Sequence, residues 1–202
     1  MVRVAKIEGA KIATQHHFAK GKFPLRQRDV SSQSFPWAVL PSLRIGFGND
    51  VHRLVIRRKL ILGGVRIRFG RGPMGHSDGD ALSHAICDAL LGAAALGDIG
   101  RHFPDSAPRW KDVSSLVFLR HVGGLLSESG FAILNVDSTI ELEKPRLAPY
   151  IDRMRRNLAR ALGVRVEQVS VKAKSGEGTG EVGRSEAVRA EAVALIGRRQ
   201  PA

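Results

Sequence analysis

The sequence has a single cysteine, few aromatic residues and no long apolar run. One cysteine among 202 residues excludes an intramolecular disulfide and a cysteine-rich zinc site. Aromatic residues make up 5% of the chain, and they do not interleave with basic residues as in proteins that stack single-stranded nucleic acid. No stretch reaches the roughly 18 consecutive apolar residues that indicate a membrane-spanning helix.

Acidic residues are scarce relative to basic ones. The 32 lysines and arginines outnumber the 19 aspartates and glutamates, which gives a formal net charge of +13. Such a chain favours an anionic partner: nucleic acid, an acidic membrane surface or a phosphorylated small molecule. Charge alone leaves a nucleic-acid-binding module open, although the sequence contains no recognisable DNA- or RNA-binding motif. The hydrophobic content of 43% is typical of a globular domain.

The first 42 residues differ from the rest of the chain. They are basic and poor in acids, they contain clustered serines and prolines near their end, and they show no helical or strand period. We predict a disordered basic extension over residues 1–42; a transit peptide and a linker from a fused partner remain alternatives. We expect a cytoplasmic protein, or an organellar one if this segment is a transit peptide.

From residue 43 onward, apolar periodicity predicts alternating strands and helices. The predicted strands are 43–47, 59–62, 65–67, 132–142, 169–173 and 185–196. The predicted helices are 80–96, 114–129 and 147–162, which end near Gly97, Gly130 and Gly163. A glycine-rich loop is predicted over 175–183. This order predicts an α/β fold, an α+β sandwich in which a mixed β-sheet carries helices on one face.

Two segments suggest a metal site without sulfur ligands. Asp50 and His52 follow an expected glycine-containing turn and lie two residues apart, so in a strand they face the same side. On the first predicted helix, Asp80, His84 and Asp88 lie four apart and share one face. Asp50, His52 and His84 would provide three ligands and leave a position open, as in catalytic zinc sites. A capping Asp80, a solvated Asp50 and a helix-surface His84 are the simpler alternative.

Two polar loops could complement such a site. Segment 98–105 packs two carboxylates, an arginine and a histidine around a glycine and a proline, a composition that an ordinary polar loop also has. Segment 172–177 leaves a strand and enters the glycine-rich loop, where backbone N–H groups, a lysine and a hydroxyl could bind phosphate oxygens. Glu177 would supply a hard oxygen ligand for Mg²⁺ or Mn²⁺. A flexible hairpin loop without a ligand fits the same residues.

Several motifs together resemble one enzyme family. They are RIGFGNDVH at 44–52, LILGGVRI at 60–67, HSDGDALSH at 76–84, DALLGAAALGDIGRHFPD at 88–105, NVDSTI at 135–140 and VKA at 171–173. In this order over residues 43–197, they are similar to the 2-C-methyl-D-erythritol 2,4-cyclodiphosphate synthases. The resemblance predicts a synthase domain over 43–197 and leaves residues 1–42 and a tail, 198–202, outside it.

The resemblance implies a lyase of the non-mevalonate (MEP) isoprenoid pathway. The substrate, 4-diphosphocytidyl-2-C-methyl-D-erythritol 2-phosphate, would cyclise when its 2-phosphate attacks the β-phosphorus and CMP leaves. The resemblance also implies a homotrimer with sites between subunits, a zinc ion, and Mg²⁺ or Mn²⁺ on the substrate phosphates. The expected partner is this cytidine diphosphate substrate, with no nucleic acid and no membrane. A family member that has lost turnover and only binds a phosphorylated ligand remains the alternative.

Position by position, the resemblance assigns roles to particular residues. Asp50, His52 and His84 would bind zinc, and Glu177 would bind the second cation. The predicted substrate contacts, of which His76 and Ser175 are also catalytic, are Asp50, His52, His76, Ser77, Asp98, Ile99, Gly100, Phe103, Pro104, Asp105, Pro145, Arg146, Lys174, Ser175, Glu177 and Arg184.

Four residues depart from the pattern that is usual in this family. Phe47 and Asn49 stand where a histidine and an aromatic residue are usual. Lys174 replaces a threonine and would add a positive charge near the phosphates. Glu181 replaces an aromatic residue and would change an apolar cavity that the family has on its trimer axis.

Overall fold

The computed structural model describes residues 42–199. The strands in this range are β1 (Leu43–Ile56), β2 (Leu60–Leu62), β3 (Val65–Ile67), β4 (Arg71–Pro73), β5 (Phe131–Glu141), β6 (Val169–Lys174) and β7 (Ala187–Arg198). The helices are α1 (Ala81–Ala94), α2 (Ile99–His102), α3 (Ser115–Glu128), α4 (Ile151–Leu162) and α5 (Gly180–Gly183). Except for Ser42, the predicted extension lies outside the described residues. Within residues 42–199, no helix combines the length and hydropathy that crossing a bilayer requires.

The domain contains a five-stranded mixed sheet with the strand order β4-β1-β7-β5-β6. β5 and β6 run parallel, whereas the other neighbouring strands are antiparallel. Helices α1, α3 and α4 pack on this sheet, which confirms the predicted mixed α/β fold. β2 and β3 form a separate hairpin. Its turn residues, Gly63 and Gly64, both have positive φ, as a two-residue type I′ turn requires.

The backbones of α1 and β1 are in direct contact. A Cβ atom on Gly46 would lie 1.9 Å from the carbonyl oxygen of Ala89, and one on Gly48 would lie 2.2 Å from that of Ala85. The expected glycine turn before Asp50 is therefore wrong. Both glycines lie inside β1, which continues through Asp50. They are needed because no side chain fits between this strand and the helix.

Helix ends differ from the predictions by a few residues. α1 begins after Asp80, whose buried carboxylate caps the helix by accepting a hydrogen bond from the N–H of Ser83 at 3.1 Å. It ends at Ala95, which adopts the left-handed conformation with φ of 59°, before the predicted Gly97. α4 ends at Gly163 as predicted. The short elements β4, α2 and α5 were not predicted, because three or four residues carry too little periodicity.

Buried side chains fill the space between the sheet and the three long helices, while the opposite sheet face stays exposed. Along β1, buried and exposed residues alternate, so the odd-numbered side chains point away from the helices. Exposed apolar residues on β1, β5 and β7 form what we call the outer sheet face: Leu43, Ile45, Phe47, Val51, Leu134 and Val193. Contiguous exposed apolar surface of this kind marks interaction sites.

Candidate active site

Three predicted metal ligands converge where β1 contacts α1. Asp50 and His52 project from β1, and His84 projects from α1. The Oδ2 atom of Asp50 lies 2.9 Å from Nε2 of His52 and 2.9 Å from Nδ1 of His84, and these two nitrogens are 3.3 Å apart. Because Gly48 has no side chain, α1 can approach β1 closely at Ala85. His84 precedes Ala85 in the helix, so this close approach brings His84 near Asp50 and His52.

Each histidine bonds a protein group through its other ring nitrogen. Nδ1 of His52 is 2.7 Å from the carbonyl oxygen of Met74, which can only accept, so Nδ1 carries the proton. Nε2 of His84 is 2.9 Å from Oγ of Ser115, and Ser115 donates its own proton to Asp78. Nε2 of His84 is therefore the donor. In the neutral rings, the two nitrogens that face each other in the triad keep free lone pairs for a metal.

The chemistry of the triad fits a divalent cation. Burial disfavours the charge of Asp50, but hydrogen bonds and charges from His52 and His84 outweigh it and hold the pKa of Asp50 well below its usual range. Burial also disfavours the charge of His52, yet the hydrogen bond and charge of Asp50 raise the pKa of His52. Two nitrogens and one oxygen, all within 4.8 Å of one another, match the ligand set of a catalytic zinc site. The three predicted ligands therefore do form one candidate metal site.

A cavity of about 430 Å³, which we call the triad cavity, opens beside the triad. Ten predicted site residues line it: Asp50, His52, His76, Ser77, His84, Ile99, Gly100, Phe103, Pro104 and Asp105. Five of the eight residues of segment 98–105 therefore line the cavity beside the triad. Asp98 itself is not among the lining residues. Its carboxylate caps α2 by accepting a hydrogen bond from the N–H of Arg101 at 2.9 Å.

Four lining residues were missed at the sequence level: Gly75, Asp88, Trp110 and Phe118. Phe103 stacks on Phe118 with ring centroids 4.3 Å apart, and Trp110 meets both rings edge-on. Oδ1 of Asp88 accepts a hydrogen bond from the N–H of Ile99 at 2.7 Å and so ties α1 to α2. The sequence already placed Asp88 on the same helix face as His84, but it assigned no role to this residue. The aromatic wall has no comparable sequence signal.

Two polar atoms of this cavity are unpartnered. Nε2 of His76 and Nε1 of Trp110 are buried and have no hydrogen-bond partner among the described residues. Buried polar groups in proteins are nearly always paired, because an unpaired one costs free energy. Both residues line the cavity, so a polar ligand there would lie near groups that lack a partner within the described part of the single chain.

A second cleft, of about 740 Å³, lies between the segments that follow β5 and β6. Because these strands are parallel, their carboxyl ends meet at one edge of the sheet. All five site residues predicted for this region line the cleft: Pro145, Arg146, Lys174, Ser175 and Glu177. The N–H of Gly176 donates a hydrogen bond to Glu143 at 3.0 Å and so joins the two segments. Oγ of Ser175 donates to Glu177.

Arg184 and Glu181 lie outside both cavities. Arg184, a predicted substrate contact, forms an exposed ion pair with Glu186 at 3.1 Å. Glu181 pairs with Arg189 on β7. The structure thus places Arg184 in a surface ion pair and brings it to neither cavity of the single chain.

The two cavities share no lining residue. The metal triad and His76 line one of them, and Ser175 and Glu177 line the other. One chain therefore does not bring together the two groups of predicted site residues.

Comparison with known proteins gives a consistent result. The model of the YgbB family matches residues 43–197. The 2-C-methyl-D-erythritol 2,4-cyclodiphosphate synthases of Syntrophomonas wolfei and Chlorobaculum tepidum are 56% and 57% identical over 154 residues. In both cases the match covers 76% of this chain and 98% of the relative.

Solved structures are also similar. A Plasmodium falciparum IspF in complex with CDP has 31% identity and a TM-score of 0.70, and the match covers 80% of this chain and 99% of that one. A 2C-methyl-D-erythritol-2,4-cyclodiphosphate synthase in a CDP-bound form has 39% identity and a TM-score of 0.70, with 76% and 99% covered.

Proposed function

The chain belongs to the YgbB family, and from this membership we propose how its residues carry out the family's reaction. The chain cyclises 4-diphosphocytidyl-2-C-methyl-D-erythritol 2-phosphate to 2-C-methyl-D-erythritol 2,4-cyclodiphosphate and releases CMP, a step of the MEP pathway. The observation that carries this conclusion is the identity of 56% to a curated synthase, together with an intact candidate metal triad. We assign the activity to residues 43–197 and no part of it to residues 1–42.

Asp50, His52 and His84 are the residues that would hold a zinc ion. When bound, zinc would act as a Lewis acid and a template for the attacking phosphate. Met74 and Ser115 fix the ring orientation of the two histidines, so the ligand atoms are already positioned before substrate arrives.

His76 would stabilise the phosphate during transfer. Its Nε2 is buried, unpartnered and in the wall of the triad cavity, so a phosphate oxygen there would satisfy a donor on this nitrogen. Phe103, Phe118 and Trp110 would surround the methylerythritol part and exclude water. Because phosphoryl transfer needs positioning and charge neutralisation more than covalent catalysis, no protein nucleophile is required.

The second cleft, which we call the cytidine cleft, would bind the cytidine diphosphate part of the substrate. Pro145 and Arg146 would lie beside the cytosine, and Ser175 would donate a hydrogen bond to the transferring phosphate. Glu177 would hold Mg²⁺ or Mn²⁺ against the phosphates, since a carboxylate is a hard ligand suited to these ions. An oxygen of the 2-phosphate then attacks the β-phosphorus, the bond from that phosphorus to CMP breaks, and CMP leaves.

A homotrimer would complete the site. The triad cavity and the cytidine cleft are separate in one chain, so we assign each active site to two neighbouring subunits. The apolar residues of the outer sheet face support such an assembly, because Ile45 and Phe47 are 72% and 60% exposed in the single chain. Closed cyclic symmetry would give three equivalent sites.

CMP release from the authentic substrate in the presence of Zn²⁺ and Mg²⁺ tests this function. We expect turnover that disappears after treatment with a chelator and returns when zinc is restored. Substrate binding without CMP release under all of these conditions would contradict the catalytic assignment. That result would favour the alternative of a phospho-ligand-binding protein.

A further inference from the structure

A strongly basic cleft lies between the end of β1 and the β2–β3 hairpin. It has a volume of about 620 Å³ and is lined by Arg57, Arg58, Lys59, Arg66, Ile67, Arg68, Phe69 and Gly70. Five of these eight residues are cations, and none is acidic. The cleft shares no lining residue with the triad cavity or the cytidine cleft, so the catalytic assignment does not account for it.

Most of these cations are not neutralised by the protein. Arg58 forms an ion pair with Asp112 at 3.4 Å. The other four, which are Arg57, Lys59, Arg66 and Arg68, form no salt bridge with the acids of residues 42–199. Arg57, Arg58 and Lys59 also line an adjoining cleft that contains the carboxylates of Asp78 and Asp112, whereas Arg66 and Arg68 do not line it. Like charges at this density repel one another, and a bound anion would offset the repulsion.

The backbone places the basic residues around the cleft. Arg66 is the exposed middle residue of β3, and Arg68 follows two residues later and is also exposed. Arg57 has φ of 66°, in the left-handed region that non-glycine residues rarely adopt. Arg57 lies in the turn that follows β1, and this turn brings Arg57, Arg58 and Lys59 to the cleft.

We propose that this basic cleft binds a small anion that carries two or more phosphate groups. Its volume lies within the range of about 300–1,000 Å³ that is usual for small-molecule sites. Arginine guanidinium groups bind phosphate oxygens in pairs, and several phosphates would be needed to neutralise four free cations. This site is an addition to the proposed catalytic function and does not depend on it.

Arg58 connects the basic cleft to the active site. Its Nε donates a hydrogen bond to the carbonyl oxygen of Pro73 at 3.2 Å, and its Nη2 donates to those of Gly75 and Ser77 at 3.1 and 2.9 Å. Segment 73–77 carries His76, and its residues 75–77 line the triad cavity. An anion in the cleft would therefore lie one side chain away from the segment that positions His76.

Calorimetric titration of the full chain with inorganic tripolyphosphate, at about 0.15 M salt to screen general charge effects, tests the proposal. Arg66→Ala/Arg68→Ala removes two cations from the cleft. Arg156→Ala/Arg160→Ala is the matched control, because it removes the same charge from exposed positions on α4. We expect one site per chain that persists in excess CDP, a loss of about tenfold or more in the cleft variant, and a change below about twofold in the control.

Several outcomes would overturn the proposal. Equal losses in the two double variants would show a general charge effect, and complete displacement by CDP would place the anion in the substrate site. Tighter binding of a short single-stranded RNA than of tripolyphosphate, reduced only in the cleft variant, would identify a nucleic-acid surface instead. CMP release from the same samples reports separately on catalysis, so a failure of one assignment leaves the other testable.

Discussion

The triad cavity and the cytidine cleft are built in different ways. The triad lies where the buried helix α1 meets β1, and each of its histidines has a second protein partner. The cytidine cleft is formed by two connecting segments, and Lys174, Ser175 and Glu177 are all exposed. One chain therefore positions the candidate metal ligands by itself, whereas these residues of the cytidine cleft remain exposed in the single chain. This difference is what our proposal of a site shared between subunits would explain.

Among the variants that test this difference, the loss of one candidate metal ligand should have the largest effect on zinc binding and CMP release. His84→Ala should abolish stoichiometric zinc binding and lower CMP release by about 1,000-fold or more, which corresponds to about 4 kcal/mol of activation free energy. Metal analysis and turnover measure the two effects. His121→Ala, which changes an exposed histidine outside the triad cavity, is the control and should retain its zinc. Unchanged zinc content in His84→Ala would show that the triad is not the metal site.

A methyl group added between α1 and β1 should disturb the packing that positions the triad. Gly48→Ala places a Cβ atom 2.2 Å from the carbonyl oxygen of Ala85, so the helix must move. We expect the free energy of unfolding to fall by about 3 kcal/mol or more, together with a loss of zinc affinity. Denaturant titration and chelator competition measure the two quantities.

Gly124→Ala is the control for that substitution. This exposed glycine in α3 has nothing within 4 Å of an added Cβ, so alanine should stabilise the helix by up to about 1 kcal/mol. Equal stability of Gly48→Ala and the wild type would contradict the direct backbone contact between α1 and β1.

Ser115 tests whether the triad depends on its supporting hydrogen bonds. Ser115→Ala removes the nearer of two hydroxyl groups beside Nε2 of His84, at 2.9 Å, and leaves Oγ of Ser77 at 3.1 Å. We expect zinc affinity to fall by about tenfold in a chelator competition. Ser138→Ala removes another buried serine hydroxyl, which donates to the carbonyl oxygen of Ser170 away from the triad. This control should lose stability but keep its zinc affinity. An equal loss of affinity in both variants would assign Ser115 a purely structural role.

Substitution of Lys174 tests the exposed cytidine cleft and should have the smallest effect on CMP release. Its ammonium group could neutralise part of the phosphate charge that a second cation otherwise neutralises. We therefore expect Lys174→Thr to raise the Mg²⁺ concentration for half-maximal CMP release by a few-fold. Lys111→Thr removes an exposed lysine that lines neither cavity and should leave the Mg²⁺ curve unchanged. Superimposable curves for Lys174→Thr and the wild type would show that Lys174 points to solvent.

Local patterns suggested the candidate metal ligands, and the family resemblance selected them over the simpler alternative. Asp50 and His52 share a strand face, and His84 lies on an apolar helix, so alternation and helical spacing indicate their directions. The mixed sheet and the three long helices were also predictable, because each element is long enough to show its period.

Other parts of the site depend on contacts between residues that are distant in the sequence. Phe118 lines the cavity and Ser115 contacts His84 because α3, which carries both residues, packs against α1. Trp110 lines the cavity from the segment before α3. Gly46 and Gly48 suggested a turn, because a Gly-x-Gly sequence is compatible both with a turn and with a strand that packs closely against a helix. Patterns within one chain also cannot show that the triad and Ser175 line different cavities.

The central claim is that each active site takes its metal side from one subunit and its phosphate side from another. Co-expression of His84→Ala with Glu177→Ala, each inactive alone, tests this claim directly. Random mixing in a trimer would pair an intact triad with an intact cytidine cleft in about a quarter of the sites, so CMP release should return to about a quarter of the wild-type rate. No recovery in trimers shown to contain both variants would contradict the shared site and place both sides in one chain.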